Sequence, residues 1–236
     1  MDPILNIKGV SKTYSGSVPA LNNATLVLPK GRIVGLLGPN GSGKTTLLKL
    51  CAGLLTADNG KIEICGTPVG PETKTLVSYL PDRTYLLNHQ TIRQQFDFFR
   101  DFYTDFDYER AEKMLESLGL DPNARFGSLS KGSKEKVQLV LVMARRARIY
   151  LLDEPIGGVD PAARDFILNT IIANYDPEAT VVISTHLIAD VESVLDQYVF
   201  LNQGKVVRTG LVDEVRESGK SLDTLFREVF RCFASY

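Results

Sequence analysis

The sequence lacks an excess of either charge. Lysine and arginine total 27 and aspartate and glutamate total 28, which gives a formal net charge of −1 at pH 7. Nucleic acids are bound mainly through lysine and arginine, and this balance gives no electrostatic support for such a polyanion. We therefore expect no nucleic-acid partner, although a local basic groove would be compatible with the balance.

Long apolar runs and paired cysteines are also missing. The longest apolar stretch, residues 137–144, is interrupted by Gln138 and ends at Arg145, so no membrane-spanning helix is predicted. The first residues, MDPILNIKGV, lack the basic region and apolar core of a secretory signal. No C-x-x-C pair is present, which is typical of a reducing compartment and argues against a metal knuckle. The three cysteines, Cys51, Cys65 and Cys232, are widely spaced and odd in number. We therefore expect a cytoplasmic protein.

Short runs of β-branched residues alternate with stretches of helical periodicity. This alternation predicts an α/β protein with a largely parallel sheet. The predicted strands are 5–10, 25–28, 33–37, 77–80, 149–153, 181–184 and 198–202.

The strand signals stop between Leu80 and Ile149. Three helical stretches are predicted there, at about 91–104, 107–118 and 131–147. We therefore predict one domain, 1–236, with a core of residues 1–86 and 149–236 and an inserted helical subdomain at 87–148. In the tail we expect a hairpin around 203–205 and an amphipathic helix at 222–230.

A glycine-rich loop follows one of the buried strands. Residues 33–46 read IVGLLGPNGSGKTT, which contains the pattern G-x-x-x-x-G-K-T. Glycines allow the backbone to fold around an anion with its N–H groups pointing inward, and the helix that follows adds its positive end. Lys44 can reach the β and γ phosphates, Thr45 can ligate Mg²⁺, and Thr46 can donate to the α phosphate. The predicted nucleotide-binding residues of the loop are Gly38, Asn40, Gly41, Ser42, Gly43, Lys44, Thr45 and Thr46.

Two acids end a later strand, in the sequence IYLLDE at 149–154. Beside a phosphate loop, Asp153 is placed to hold Mg²⁺ through water and Glu154 to orient and deprotonate an attacking water. The alternative is that both acids only end the strand before Pro155. His186 follows the next strand, at the edge where α/β sheets bind ligands, and is either a γ-phosphate contact or a loop residue.

With these residues placed, the chain resembles the nucleotide-binding subunit of ATP-binding cassette (ABC) transporters over residues 3–210. GPNGSGKTT matches the Walker A loop, LLDEP the Walker B strand, GGVDP at 157–161 the loop that meets a partner subunit, and STH the switch histidine. The resemblance implies a P-loop NTPase core with an antiparallel N-terminal β region, and ATP and Mg²⁺ as cofactors. It implies that Tyr14 stacks on adenine and that catalysis uses Glu154, His186 and Lys44.

Two positions depart from the family pattern. The usual L-S-G-G-Q signature is replaced by Leu129 followed by S-K-G-S, and the glutamine that usually ends the strand before the helical insert is replaced by Asp82. Asp82 is either a metal or partner contact or a turn residue. The segment LSKGSKEK is either a helix cap or a phosphate site for a nucleotide held by the opposite subunit. The candidate residues for this in-trans contact are Ser130, Lys131, Gly132 and Ser133.

An aromatic run places seven aromatic residues between Phe96 and Tyr108. Four of them recur at helical spacing and predict the core of the helical subdomain, whereas Phe98 and Phe102 fall on a neighbouring face. In the family, a groove between the insert and the core receives a helix from a membrane subunit, and these two rings are candidates to line it. The four core candidates are Phe96, Phe99, Tyr103 and Phe106.

The resemblance implies an ATP-hydrolysing subunit that pairs with a second nucleotide-binding subunit and with separate transmembrane permease subunits. Its expected location is the inner face of the cell membrane, reached through the permease. One alternative is a soluble ABC-type ATPase of DNA repair or translation, although the sequence has neither a long coiled coil nor a second cassette. Another is a nucleotide-gated dimerisation switch with weak hydrolysis, which the altered signature and Asp82 leave open.

Overall fold

Two β-sheets form the framework of the protein, whose computed structural model describes residues 3–16 and 18–234. The strands are β1 (Leu5–Thr13), β2 (Pro19–Leu28), β3 (Ile33–Leu37), β4 (Asn59–Ile64), β5 (Thr67–Pro68), β6 (Val77–Leu80), β7 (Ile149–Asp153), β8 (Thr180–Thr185), β9 (Gln197–Asn202) and β10 (Lys205–Leu211). The α-helices are α1 (Lys44–Cys51), α2 (Ile92–Phe102), α3 (Tyr108–Ser117), α4 (Lys131–Met143), α5 (Pro161–Asn174), α6 (Ile188–Val191), α7 (Val212–Glu217) and α8 (Leu222–Ala234).

The larger sheet has six strands in the order β10-β9-β3-β8-β7-β6. Its strands are parallel except β10, which is antiparallel to β9. Every residue of β3, β7 and β8 is buried, as expected for a parallel sheet covered on both faces. The largely parallel core sheet predicted from the sequence is therefore confirmed.

The smaller sheet is antiparallel, in the order β2-β1-β4-β5. It confirms the antiparallel N-terminal region, but β4 and β5 were not among the predicted strands. The reason is that β4, with the sequence NGKIEI, begins with a turn-like Asn-Gly pair and has only two apolar residues, Ile62 and Ile64. Both are buried in the same core cluster as their β1 neighbours in the sheet, Ile7 and Leu5, so tertiary contacts rather than local pattern form this strand.

The helical insert lies between β6 and β7, and the described residues there form α2, α3 and α4 with no strand. Thr91 starts α2 with a reciprocal capping box to Gln94. The predicted helix 131–147 was too long, because α4 ends at Met143. The chain then turns so that the buried Arg145 can donate to the carbonyl of Val77 at 2.6 Å and form two bonds to Asp105.

The aromatic run separates into an inner and an outer face. Phe96, Phe99 and Phe106 are buried in one cluster, which confirms the core interpretation for those rings. Phe98 and Phe102 are 47% and 69% exposed, and their ring centroids lie 4.5 Å apart. Together they form an aromatic pair on the surface of α2.

The tail has the predicted hairpin and helix. Gln203 and Gly204, both with positive φ, connect β9 to β10, and α8 covers the predicted stretch 222–230. In the described part of the chain, no helix is long and apolar enough to cross a membrane. Cys51 and Cys65 are free thiols, while the side chain of Cys232 lies outside the described residues.

Candidate functional site

The candidate site lies where four neighbouring strands end. The glycine-rich loop follows β3, Asp82 follows β6, Asp153 ends β7, and His186 follows β8. Because these strands are parallel neighbours, their carboxyl ends meet at one edge of the sheet. A cleft of about 710 Å³ opens there, lined by Ala20, Asn40, Gly41, Ser42, Gly43, Lys44, Thr45, Thr46, Asp82, Lys131, Glu154, Gly157, Gly158 and His186.

The glycine-rich loop is shaped for close approach to an anion. Gly43 precedes α1 with φ of 106°, a conformation that disfavours a side chain. A Cβ on Gly38 would lie 2.2 Å from the carbonyl oxygen of Leu201, so that glycine is required by packing. The hydroxyl of Ser42 is buried and has no hydrogen-bond partner among the described residues. The loop therefore combines a glycine backbone that a ligand can approach, the N-terminus of α1 and the Ser42 hydroxyl without a hydrogen-bond partner. Together these features fit a bound phosphate.

Lys44 supplies a buried positive charge to this loop. Its side chain is 6% exposed, and its Nζ donates to the carbonyl oxygens of Gly38 at 2.9 Å and Pro39 at 3.3 Å. The same Nζ lies 3.5 Å from Oε1 of Glu154. The ammonium is thus fixed between the loop and the end of β7, where an anion in the cleft would meet it.

Asp153 is 1% exposed and held by three hydroxyl groups. Its Oδ1 accepts from Ser184 Oγ at 2.6 Å and Thr45 Oγ1 at 3.1 Å, while Tyr79 Oη donates to Oδ2 at 3.5 Å. Burial raises the pKa of Asp153, the Ser184 and Thr45 hydrogen bonds oppose this rise, and the nearby charges of Asp82 and Glu154 add to it. A buried carboxylate with acidic neighbours favours a bound cation.

The side-chain oxygens at this edge of the sheet suit a Mg²⁺ ion that is bound together with a phosphate group. Mg²⁺ is usually held by one or two carboxylates together with substrate phosphates and water, rather than by a cage of protein side chains. Within residues 3–16 and 18–234, no three His, Cys, Asp or Glu side chains form such a cage. Thr45 and Asp153 are hydrogen-bonded to each other, and the exposed Asp82 lines the same cleft.

Glu154 has a strained backbone, and its carboxylate lies between Lys44 and His186. Its φ is 50°, in the left-handed region that non-glycine residues seldom adopt and that is often found at functional sites. Its carboxylate oxygens lie 3.1 and 3.2 Å from Nδ1 of His186, and Oε1 also faces Lys44. The backbone N–H of Glu154 donates to the carbonyl of Ser184, which fixes the turn. A carboxylate held in this way can accept a proton from water in the cleft.

The segment after Leu129 forms the start of α4. Ser130 caps the helix, since its Oγ accepts from the Ser133 backbone N–H at 3.2 Å and donates to Ser133 Oγ at 3.0 Å. Lys131 is exposed and donates to the carbonyl oxygen of Gly158 at 3.3 Å. Among residues 3–16 and 18–234, a Cβ on Gly132 would meet no atom within 4 Å, so no described neighbour requires a glycine there. Capping explains Ser130 but gives Gly132 no packing role within that part of the chain.

Tyr14 stands at the rim rather than in the cleft. It is 50% exposed, and its hydroxyl lies 3.3 Å from Oγ1 of Thr46. The structure thus brings residues 40–46, Glu154, Asp82, His186 and Lys131 to one cleft, and the buried Asp153 lies behind its lining, bonded to Thr45. Of the other predicted site residues, Gly38, Tyr14, Ser130, Gly132 and Ser133 do not line it. Sequence reasoning missed Tyr79. The available signal was a phenol in a buried strand three residues before Asp82, but strand tyrosines are common and nothing in the local sequence pointed to Asp153.

A second cavity, of about 500 Å³, lies between the core and the helical insert. We call it the basic groove, and it is lined by Lys49, Ala52, Leu54, Lys74, Val77, Tyr79, Pro81, Arg83, Tyr85, Tyr103 and Arg145. Four of these lining residues are cationic and none is acidic. Arg145 is neutralised by Asp105, so the remaining lysines and Arg83 give the groove its charge.

Comparison with known proteins identifies related sequences and folds. A family model described as ABC transporter matches residues 21–157, more than half of the chain. The ABC transporter ATP-binding protein YtrB of Bacillus subtilis (strain 168) is 30% identical over 217 residues, which cover 91% of this chain and 74% of YtrB. A solved ATP-binding subunit of an ABC transporter has a TM-score of 0.85 at 30% identity and covers 96% of this chain and 99% of that one. The dimeric bacterial cassette MJ0796 has a TM-score of 0.78 at 23% identity, covers 88% and 98%, and is similar in fold.

Proposed function

The chain belongs to the ABC transporter family, and we propose that it is the subunit that binds and hydrolyses ATP to drive transport through separate membrane-spanning permease subunits. The observation that carries this proposal is the contact of the buried Lys44 with Glu154, beside Asp153, in one cleft with the glycine-rich loop. A cation, a base and a metal carboxylate at one sheet edge are the groups that phosphoryl transfer to water needs.

Different residues of the site bind the phosphates, the adenine and the Mg²⁺ ion of ATP. The backbone N–H groups of the loop and Lys44 receive the phosphates, and Thr46 binds the α phosphate. Tyr14 stacks on the adenine from its exposed position beside Thr46. Thr45 and Asp153 hold Mg²⁺, with Asp82 as an additional carboxylate at the cleft; bound there, Mg²⁺ supplies positive charge that offsets the charge of the phosphates.

Hydrolysis depends on the Glu154 carboxylate. Glu154 orients a water in the cleft and accepts its proton. His186 keeps the carboxylate in place through the contact at Nδ1 and leaves its other ring nitrogen for the γ phosphate. Lys44 holds the same phosphate from the loop side.

We propose that the site is completed by a second nucleotide-binding subunit. Ser130, Lys131, Gly132 and Ser133 of one subunit would contact the nucleotide held by the other, through the N-terminal end of α4. The open space around Gly132 supports this, because a glycine there allows a phosphate of another chain to approach the backbone. MJ0796, which has the same fold, is described as dimeric.

We propose that the basic groove receives a helix of the permease. The groove offers tyrosine rings beside Lys49, Lys74 and Arg83, so it suits an amphipathic segment that carries a carboxylate. Phe98 and Phe102, which were candidates to line the groove, are not among its lining residues; their exposed pair offers an apolar surface elsewhere on α2. Held in this way, the subunit would be a peripheral protein on the cytoplasmic face of the membrane. A role in DNA repair or translation is not favoured, since the matched relatives carry transporter names.

Replacing the base tests the proposed chemistry. Glu154→Gln keeps the shape of the side chain and removes its basicity, so we expect ATP affinity to remain and hydrolysis to fall by about a hundredfold or more. ATP should then trap the dimer, which size-exclusion chromatography with MgATP would detect. Glu178→Gln, on an exposed loop, is the matched control. A Glu154→Gln variant that stays monomeric and hydrolyses ATP at the wild-type rate would refute both the role of Glu154 and the dimer.

A further inference from the structure

Tyr79 connects the basic groove to the metal site. It lies on β6 opposite Leu151 of β7, and side chains two residues apart on a strand point to the same face. Tyr79 and Asp153 are therefore diagonal neighbours on one face of the sheet, which is why the phenol oxygen reaches Oδ2 of Asp153 at 3.5 Å. The Tyr79 side chain also lines the basic groove.

The two oxygens of Asp153 have different partners. Oδ1 is held by Thr45, which lines the nucleotide cleft, and by the buried Ser184 of β8, whereas the donor to Oδ2 is Tyr79, which lines the basic groove. Any rotation of the carboxylate must change the Tyr79 contact. Hydrogen bonds of this kind orient metal-binding carboxylates, and their loss commonly weakens the metal by about 10-fold to 100-fold.

We infer that Tyr79 is a positioning residue for Asp153, and that occupation of the basic groove changes the metal dependence of ATP hydrolysis through it. This inference rests on the proposed function, in which Asp153 holds Mg²⁺ and a permease helix enters the groove. A helix that displaces the Tyr79 ring moves the phenol oxygen relative to Oδ2. The side chain of Tyr79 alone would then transmit binding of the membrane partner to Asp153 and the metal site.

The first test uses the isolated chain and Tyr79→Phe, which keeps the ring and removes the hydroxyl. Calorimetry with the non-hydrolysable ATP analogue adenylyl imidodiphosphate gives nucleotide affinity in EDTA and in Mg²⁺. We expect the affinity in EDTA to stay within about twofold of wild type, while the gain in affinity on adding Mg²⁺ falls by about 10-fold. Tyr175→Phe removes a phenol hydroxyl that lines neither cavity and is the control.

An unchanged Mg²⁺ gain in Tyr79→Phe overturns the positioning role. A fall in affinity that is equal in EDTA and in Mg²⁺ also overturns it, because general damage to the fold does not depend on the metal. A wild-type chain without any Mg²⁺ gain would instead refute the proposed metal site, so the two failures are distinguishable.

The second test uses the complex isolated with its permease subunits. The Mg²⁺ concentration that gives half-maximal ATP hydrolysis is measured for the complex and for the isolated chain. We expect the two concentrations to differ in the wild type and in Tyr175→Phe, and to become equal in Tyr79→Phe. The link between groove and metal site is overturned by an equal difference in the wild-type and Tyr79→Phe proteins, and also by a wild-type complex whose Mg²⁺ dependence matches that of the isolated chain. Failure of the wild-type chain to copurify with any membrane-spanning subunit would instead count against the proposed transport function.

Discussion

The core and the helical insert place their functional side chains in opposite ways. In the core, Lys44, Asp153 and Glu154 are largely buried and contact one another or their neighbours. In the insert, Lys131 is exposed at a helix end, and Phe98 and Phe102 contact each other at the surface. The core brings its charged groups together in its interior, whereas these side chains of the insert lie at the surface, where another chain could reach them.

We expect this difference to separate nucleotide binding from turnover. A site whose charges are already arranged binds its ligand without a partner, because little reorganisation is needed. Surfaces that are exposed in the single chain gain their energy only on association. We therefore expect changes in the core to abolish nucleotide binding, and changes in the insert to abolish dimerisation or coupling while binding is kept.

The largest effect should follow Lys44→Ala. Removing the buried ammonium leaves phosphate charge unmatched in the loop, and truncating one partner of a buried charge pair costs about 3 kcal/mol or more, which is over about a hundredfold in affinity. The loss should be large for ATP and small for adenosine, as measured by calorimetry. Equal losses for both ligands would show that the loop does not bind phosphates, and Lys205→Ala at an exposed site is the control.

A smaller and more selective effect should follow Ser130→Arg. The bulky side chain blocks the N-terminal end of α4, so we expect hydrolysis and ATP-driven dimerisation to fall by about 10-fold or more, with ATP binding by the single chain within about twofold. In a mixture with Lys44→Ala, one composite site carries both changes and the other carries neither. If both subunits of the dimer are this chain, the mixture should regain hydrolysis. A mixed dimer that forms and stays inactive would contradict the in-trans contact.

The smallest effect on ATP binding should follow changes in the aromatic run. Two of its residues, Phe98 and Phe96, allow an exposed and a buried position of the insert to be compared directly. Phe98→Ala lies on the exposed face and should leave both ATP affinity and the free energy of unfolding within about 0.5 kcal/mol of wild type. Phe96→Ala, two residues away and buried, should lower the free energy of unfolding by about 3–5 kcal/mol. Denaturant unfolding measures both. Equal destabilisation by the two variants would place Phe98 in the core.

Local patterns predicted the parts of the molecule that local chemistry determines. The loop from Gly38 to Thr46 needs glycines, a lysine and a threonine at fixed spacing, and the buried strands need β-branched runs, so both could be read from the sequence. The strand β4 could not, because its two isoleucines gain their burial from β1. The end of α4 at Met143 likewise depends on Arg145 reaching a carbonyl of β6.

The candidate site shows the same limit. Each motif predicted its own residues, but the contact of Lys131 with Gly158 joins positions 27 residues apart, and the contact of Tyr79 with Asp153 joins positions 74 apart. Such contacts depend on strand order and register, which no single stretch of sequence encodes. The predicted division into a core, at 1–86 and 149–236, and an insert, at 87–148, stays a prediction.

The central position of β3 has a consequence for synthesis of the chain. The strand that carries the glycine-rich loop is flanked in the sheet by β8 and β9, which end at Thr185 and Asn202. Translation proceeds from the N-terminus, so β3 leaves the ribosome long before either neighbour exists. Until then the five residues of β3, all buried in the folded protein, remain unpaired and accessible to chaperones and to other nascent chains. The loop is synthesised early but can bind a nucleotide only after the sheet has formed. A chain that terminates before β8 contains every residue of the loop but lacks the neighbouring strands that hold β3 in the sheet.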